Sequence, residues 1–552
     1  MSDAVRSTLW RTLLAAAFVV SVHAQAAPEK DRCIFQGLVR DSVTQLPVAK
    51  ASVHIVSTPL GNPAYAGVSD PTGTFRFDAI KPGAYKFQIR ARGYAESQTV
   101  GIEARPTANY RCVPGKDTAT TLVQLDPEGV IMGRVTDIEG EPIPGAVVYA
   151  ITEQWQRGFR IYKQVSWANA NDHGDYRLKS VAGRYYLSAH SQYSGAPSLF
   201  AEDPGKPEMR TGFAVYPNAT SIGAGAPINL QPGQQLIGIS FKLPAVSTYH
   251  IRGAVVPYVP GPQASILNIM PRDGNRSPNM PAAGGHGVEK DGTFDLAGVR
   301  PGSYWLEMIP VRGSPVSQVS VDVTDRDVNG IRIAGIPPFE IKAKIVFSEE
   351  GGGQPLTAAH FHLDRLNWLM FPFSSIESPS AEGVLVFSSR PAGEYVISLP
   401  ADADLYIQSI SYNQQEAKGG RLNLSSGPAA DIQILLATGT GQVEGTVPHP
   451  ESLPPGTVAA LVSAQGVTGN TGERSADIDA AGHFQFRFVP PGRYFVFVTP
   501  TFDGNLWENM DFIHELQDRG TPVEVTKKGT VSVEASLLTT ADLDQARERI
   551  PR

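Results

Sequence analysis

Four places in this sequence set acidic and imidazole side chains at spacings that metal chemistry uses. His286-Gly287-Val288-Glu289 has the His-x-x-Glu spacing of a two-ligand zinc site, but it stands in a Gly-rich loop just before the Gly292 turn. His514-Glu515-Leu516-Gln517-Asp518 begins like the His-Glu-x-x-His helix, with Asp518 where the second histidine belongs. Phe512, Ile513 and Leu516 read there as the packing face of a short amphipathic helix. His360 and His362 share one face of a strand but lack an evident third ligand. Asp325-Arg326-Asp327-Val328-Asn329-Gly330 matches the first half of a calcium loop, and Ile336 occupies the position of the bidentate glutamate. No Gly-x-Ser-x-Gly elbow, phosphate loop or Cys-x-x-Cys pair occurs. Neither a metal nor a cofactor is expected, and no catalytic residue is assigned.

Aromatic side chains offer a second kind of chemistry. Trp155, Phe159, Tyr162 and Trp167 crowd one hairpin among Gln154, Gln156, Arg157, Arg160, Lys163 and Asn169. Flat rings beside amides and cations suit a sugar or peptide surface, which makes these four the candidate ligand-binding residues. Packing between serial domains is the competing and weightier reading. Trp368, Met370, Phe371 and Phe373 form a similar group further on.

The elements that would position these residues repeat. A Gly-x-Tyr triad recurs at Gly83–Tyr85, Gly183–Tyr185, Gly302–Tyr304, Gly393–Tyr395 and Gly492–Tyr494, each preceded by proline or alanine. A turn glycine stands upstream of each, at Gly73, Gly174, Gly292, Gly383 and Gly482. Two and four residues beyond it comes an apolar pair: Phe75/Phe77, Tyr176/Leu178, Phe294/Leu296, Leu385/Phe387, Phe484/Phe486. Residues two apart share a sheet face, so each pair faces a core. Asp70, Asn171 and Asp479 precede their glycines by three and open the turn. Earlier in each unit a strand carries Gly37, Gly133, Gly253 or Gly445, with Ala343 in the fourth. The chain is thus expected to be all-β, a tandem array of five small antiparallel β-sandwiches. The expected divisions are 27–126, 127–247 (with an insertion, much of it between Gln192 and Pro227, expected to emerge as a loop), 248–337, 338–440 (degenerate in its first half, where Ala343 replaces the glycine) and 441–552 (with a C-terminal extension). Helix is expected to be minor and confined mainly to the leader and the 507–518 region.

Copy one, with Gly37-Leu38-Val39-Arg40-Asp41, Pro47 to Val53, Asp70 to Phe77 and Pro82 to Tyr85, resembles the carboxypeptidase regulatory-like domain. Copy two is similar through Gly133 to Asp137, Pro144 to Val148 and Gly174 to Tyr176. The resemblance implies a transthyretin-like sandwich of the carbohydrate-binding-like class, without shared catalytic residues.

Composition narrows the setting. Among 552 residues there are 54 glycines and 44 prolines, too many for a helical bundle. A net charge of -7 with no basic block disfavours nucleic acid. Arg6 and Arg11 followed by apolar Leu13 to Val22 read as a secretory signal ending near residue 26. No later apolar run is long enough for a transmembrane anchor. The expected location is periplasmic or extracellular. The two cysteines, Cys33 and Cys112, flank copy one, and in an oxidising compartment they are expected to pair. Free thiols or a bridge to a partner are the alternatives. The function expected is a carbohydrate-binding or envelope-interaction module. A structural scaffold of the envelope that docks other proteins is the alternative, and an unrecognised hydrolase ranks third.

Overall fold

The computed structural model describes residues 33–57, 63–95, 110–112, 121–156, 158–191, 208–258, 266–272, 286–309, 318–348, 359–366, 374–400, 404–429, 431–454, 457–465, 470 and 474–550. The leader (1–26) and Trp368, Met370, Phe371 and Phe373 lie outside these, as do the side chains of Cys112, Phe159 and His286. The chain divides into two compact units. The first holds most of repeat one, as Met1–Arg40, Pro47–Ile89 and Ala108–Val123. The second holds Asp41–Leu46, Arg90–Thr107 and Gln124–Arg552.

Among the described residues strands form ten sheets that succeed one another along the chain in pairs. In repeat two, Gly129–Asp137 lies in one sheet beside Asp175–Ser180, and Val147–Gln156 lies in the other between Phe159–Asn169 and Gly183–His190. One core, with Ile131, Val135, Val148, Ala150, Tyr176, Tyr185 and Leu187, draws on both sheets. Repeats three, four and five have their own two-sheet cores. Sandwich packing follows from the alternation, because each strand places every second side chain inward.

The recurring residues explain one another. The turn glycines have φ of +78°, +75°, +88°, +78° and +84°, a region that costs glycine little. Each offers its carbonyl to a residue in or just after the first strand of its own repeat: Val39, Val135, Val255, Ile345 and Val447 donate at 2.8 to 2.9 Å. Asp70 Oδ1 accepts from the Thr72 and Thr74 amides, and Asn171 and Asp479 hold their turns in the same way. The triad tyrosines share one further bond, which accounts for Tyr rather than Phe. Each phenol donates to the carbonyl four residues back: Tyr85 to Lys81, Tyr185 to Val181, Tyr304 to Arg300, Tyr395 to Pro391 and Tyr494 to Pro490. The ring fills the core while the hydroxyl ties down the Pro-Gly or Ala-Gly turn beside it.

Opposite the strand glycines stand aromatic rings. Gly37 pairs with Phe75, Gly133 with Tyr176, Gly253 with Phe294 and Gly445 with Phe484. A Cβ on Gly37, Gly253 or Gly445 would come within 2.4, 2.7 or 1.9 Å of the facing ring's Cζ. Repeat four carries Ala343 at this place, and its partner is Leu385 rather than an aromatic.

Three expectations need correcting. First, the sheets are mixed, not purely antiparallel. In repeats two to five a late strand runs parallel to the first: Gln235–Ile237 and Phe241–Leu243 beside Gly129–Asp137, Val328–Ala334 beside Ala245–Val256, Ile432–Ala437 beside Phe339–Phe347, and Thr530–Glu534 beside Gly441–Thr446. A strand that arrives from the other sheet is not held by a hairpin, so nothing forces it to run antiparallel. Second, the insertion of repeat two is not wholly a loop. Glu208–Thr211 pairs antiparallel with Ala245–Thr248 in the sheet of repeat three, and Phe213–Val215 then rejoins repeat two beside Gly183–His190. Third, helix extends beyond 507–518, because Thr540–Arg549 is a helix as well as Met510–Leu516. Its signal stood in the sequence as the capping box Thr539-x-x-Asp542, in which each side chain bonds the other's amide.

Candidate functional site

The aromatic hairpin of repeat two ends at a left-handed glycine, Gly158, with φ of +74°. Trp155 and Arg160 face each other across it, and the guanidinium lies over the indole at 5.2 Å from its centroid. This tip meets a helical cap of repeat five, made of Leu506–Glu508 and Met510–Leu516 between the strands Gly492–Thr499 and Thr521–Val525, and of Thr540–Arg549 after the last strand. Trp155 is 8% exposed and belongs to a cluster with Val462, Phe497, Leu506, Trp507, Phe512 and Leu543. Gly158 donates its amide to Asn505 O at 3.0 Å. Asn509 Nδ2 donates to Gly158 O at 2.8 Å. The same side chain caps the helix Met510–Leu516, where its Oδ1 accepts from Phe512 N. A Cβ at residue 158 would stand 2.6 Å from Glu508 O, so only glycine lets the backbones approach this closely.

Of the four candidate binding residues, Trp155, Tyr162 and Trp167 differ in what covers them, and the side chain of Phe159 lies outside the described residues. Tyr162, 4% exposed, packs with Ile151, Tyr186, Val215 and Ile222, and burial raises its phenol pKa. Trp167, opposite Tyr149, is 59% exposed. Strand parity does not separate these environments, because what covers each ring comes from elsewhere in the chain. Gly158, Asn505 and Asn509 were missed in the sequence. Their only signals were a lone turn glycine and an asparagine before a short apolar helix.

The metal candidates hold other partners. Asp327 accepts from His250 N at 2.9 Å and from Arg252 at 2.7 Å. Burial pushes its carboxyl up, but those bonds outweigh it and leave the pKa below the usual carboxylate value. Asp325 pairs with Arg326, Glu515 with Arg549, and His360 Nδ1 lies 2.9 Å from Ser378 Oγ. Among the described residues no three His, Cys, Asp or Glu side chains gather as a metal site.

Contacts between repeats recur through the second unit. Arg300, 7% exposed, donates to Thr211 O at 3.0 Å and stacks over Phe213 at 5.6 Å, joining repeat three to the insertion of repeat two. Burial lowers its pKa to about 10. Asn470 of repeat five bonds the Ile407 backbone of repeat four twice, accepting its amide at 2.7 Å and donating to its carbonyl at 2.8 Å. With Trp155 the sequence of contacts closes, since repeat five returns to repeat two.

Against known families, residues 34–113 match the model of the carboxypeptidase regulatory-like domain. Among curated proteins none matches the chain. Solved structures similar to it include the Bacillus anthracis TIE protein, 11% identical over 73% of this chain and 72% of that one, with a TM-score of 0.15. The major pilin subunit BcpA of Bacillus cereus is 10% identical over 55% and 99%, with a TM-score of 0.15. Two B repeat units of the collagen binding protein of Staphylococcus aureus are 9% identical over 74% and 99%, with a TM-score of 0.14. Similarity at this level says nothing about activity. The class is thus a multidomain all-β protein whose first repeat matches a regulatory-like domain.

Proposed function

We propose that this chain is an exported, non-catalytic structural protein of the cell envelope, made of five tandem sandwiches divided near residues 126, 247, 337 and 440. In this reading repeats two to five are locked as one body that other envelope proteins dock against. One observation carries it. One of the four side chains read as a ligand surface, Trp155, is spent on a contact between repeats two and five. The signal-like Arg6, Arg11 and Leu13 to Val22 support export. A rigid brace predicts one narrow distance between spin labels placed at the exposed positions of Lys163→Cys and Asp511→Cys, one in each of those repeats. A broad or split distribution would remove the structural reading.

A Cys33–Cys112 disulfide belongs to the same proposal. Cys33 is buried opposite Ile80, and the Cys112 backbone pairs with Gly83, three residues on across the turn. The described cysteine is not a free thiol. Thiol labelling of the exported protein is expected to find neither residue reactive until reductant is added. Closing a loop of that length is worth roughly 4 to 5 kcal/mol in the chain-entropy model. Labelling without reductant would sink the pairing.

Carbohydrate binding is retained as a second reading because Trp167 keeps its ring in solvent. Retention of the protein by soluble polysaccharide in affinity electrophoresis, lost in Trp167→Ala, would favour it over the brace.

A further inference from the structure

Repeats three and four meet around a buried ion pair. Glu307 lies on Gly302–Ile309 of repeat three, between the core residues Leu306 and Met308 and on the opposite face of the strand. Arg365 ends Phe361–Arg365 of repeat four. Their side chains are 3% and 4% exposed, with Arg365 Nη1 4.0 Å from Glu307 Oε1. Arg365 also donates to Ala392 O, in the Ala-Gly turn whose neighbouring carbonyl, Pro391 O, takes the Tyr395 hydroxyl. The arginine thus stands within 4.0 Å of the neighbouring repeat's carboxylate while hydrogen-bonding its own repeat's recurring turn.

Three other contacts between repeats of this unit also use a polar side chain, buried for Arg300 and Asn470 and half-buried for Asn509, and each time a different one. Arg300 meets a backbone carbonyl, Asn470 meets both polar groups of one residue, and Asn509 meets Gly158. Five homologous modules expose similar turns and similar apolar surfaces, so apolar contacts alone would let one repeat dock where another belongs. A buried charge or amide penalises every arrangement that leaves it unpaired. Replacing a buried ion pair with apolar side chains often costs no stability.

Resting on the structural reading above, we propose that the Glu307–Arg365 pair is the specificity key of the junction between repeats three and four. It fixes which repeat docks there and in what orientation, and contributes little to stability.

The test uses the full chain with spin labels at the exposed positions of Lys290→Cys and Lys344→Cys, one in each repeat. In the parent a single narrow distance is expected. Arg365→Met alone strips the charge from beside Glu307 and should lower the unfolding midpoint by several degrees. Glu307→Leu combined with Arg365→Met should restore the midpoint while adding a second distance that involves roughly a tenth or more of the molecules. A double variant that keeps the single narrow distance overturns the proposal. So does one whose loss of midpoint equals the sum of the losses of Glu307→Leu alone and Arg365→Met alone, because the groups are then uncoupled. The labels at 163 and 511 report separately on the repeat two–five contact, so failure of this key and failure of the brace are told apart.

Discussion

Trp155→Ala is expected to detach the hairpin of repeat two from the cap of repeat five while leaving the repeat-two sandwich folded. The indole is 8% exposed among Leu506, Trp507, Phe512 and Leu543, and its removal leaves a cavity on the cap side. Truncating a buried aromatic costs about 3 to 5 kcal/mol. The two hydrogen bonds at Gly158 hold only while the indole keeps the backbones close, so they should go with it. Amide hydrogen exchange is the measurement that localises the loss. Protection should fall in Met510–Leu516 and Thr540–Arg549, and stay unchanged in Gly129–Asp137. Trp167→Ala is the control, because its ring is 59% exposed and should shift stability by less than about 0.5 kcal/mol. Equal effects from the two substitutions would mean that Trp155 is not the anchor of this contact.

Gly445→Ala should be the most damaging single methyl in repeat five. The new Cβ would lie 1.9 Å from Phe484 Cζ, so the ring must leave its place beside Phe486 and Val443. Overpacking of this kind costs on the order of 1 to 3 kcal/mol or more. Repeat four indicates the remedy, since it pairs Ala343 with Leu385 at the same register. Gly445→Ala with Phe484→Leu should therefore recover most of the loss, although Phe484→Leu alone should be destabilising. Urea unfolding followed by hydrogen exchange in Gly441–Thr446 reads both effects. If the double variant is no more stable than Gly445→Ala, the glycine and the ring are not coupled.

That pair also marks how far the sequence could be read. The Ala at 343 looked like degeneration, and the Leu at 385 looked like one more apolar residue of a pair. Only the register puts them face to face and makes each the reason for the other. The five turn glycines, by contrast, were legible at once, because a left-handed turn leaves a one-residue signature that needs no partner. The helix Thr540–Arg549 carried a local capping signal and was overlooked among turn residues that use the same side chains for other bonds.

What the sequence by itself determined is the module: period-two alternation, turn chemistry and the Gly-x-Tyr spacing act over a few residues and leave little choice but a two-sheet sandwich. What only the tertiary structure decided is the use of each exposed-looking ring. Trp155 and Trp167 sit on one strand-turn-strand element with similar neighbours, and nothing local distinguishes them. One is buried by the cap more than 300 residues further along the chain, while the other remains in solvent. Burial against a distant partner leaves no trace in local spacing, because the partner's position is set by how the intervening sandwiches dock.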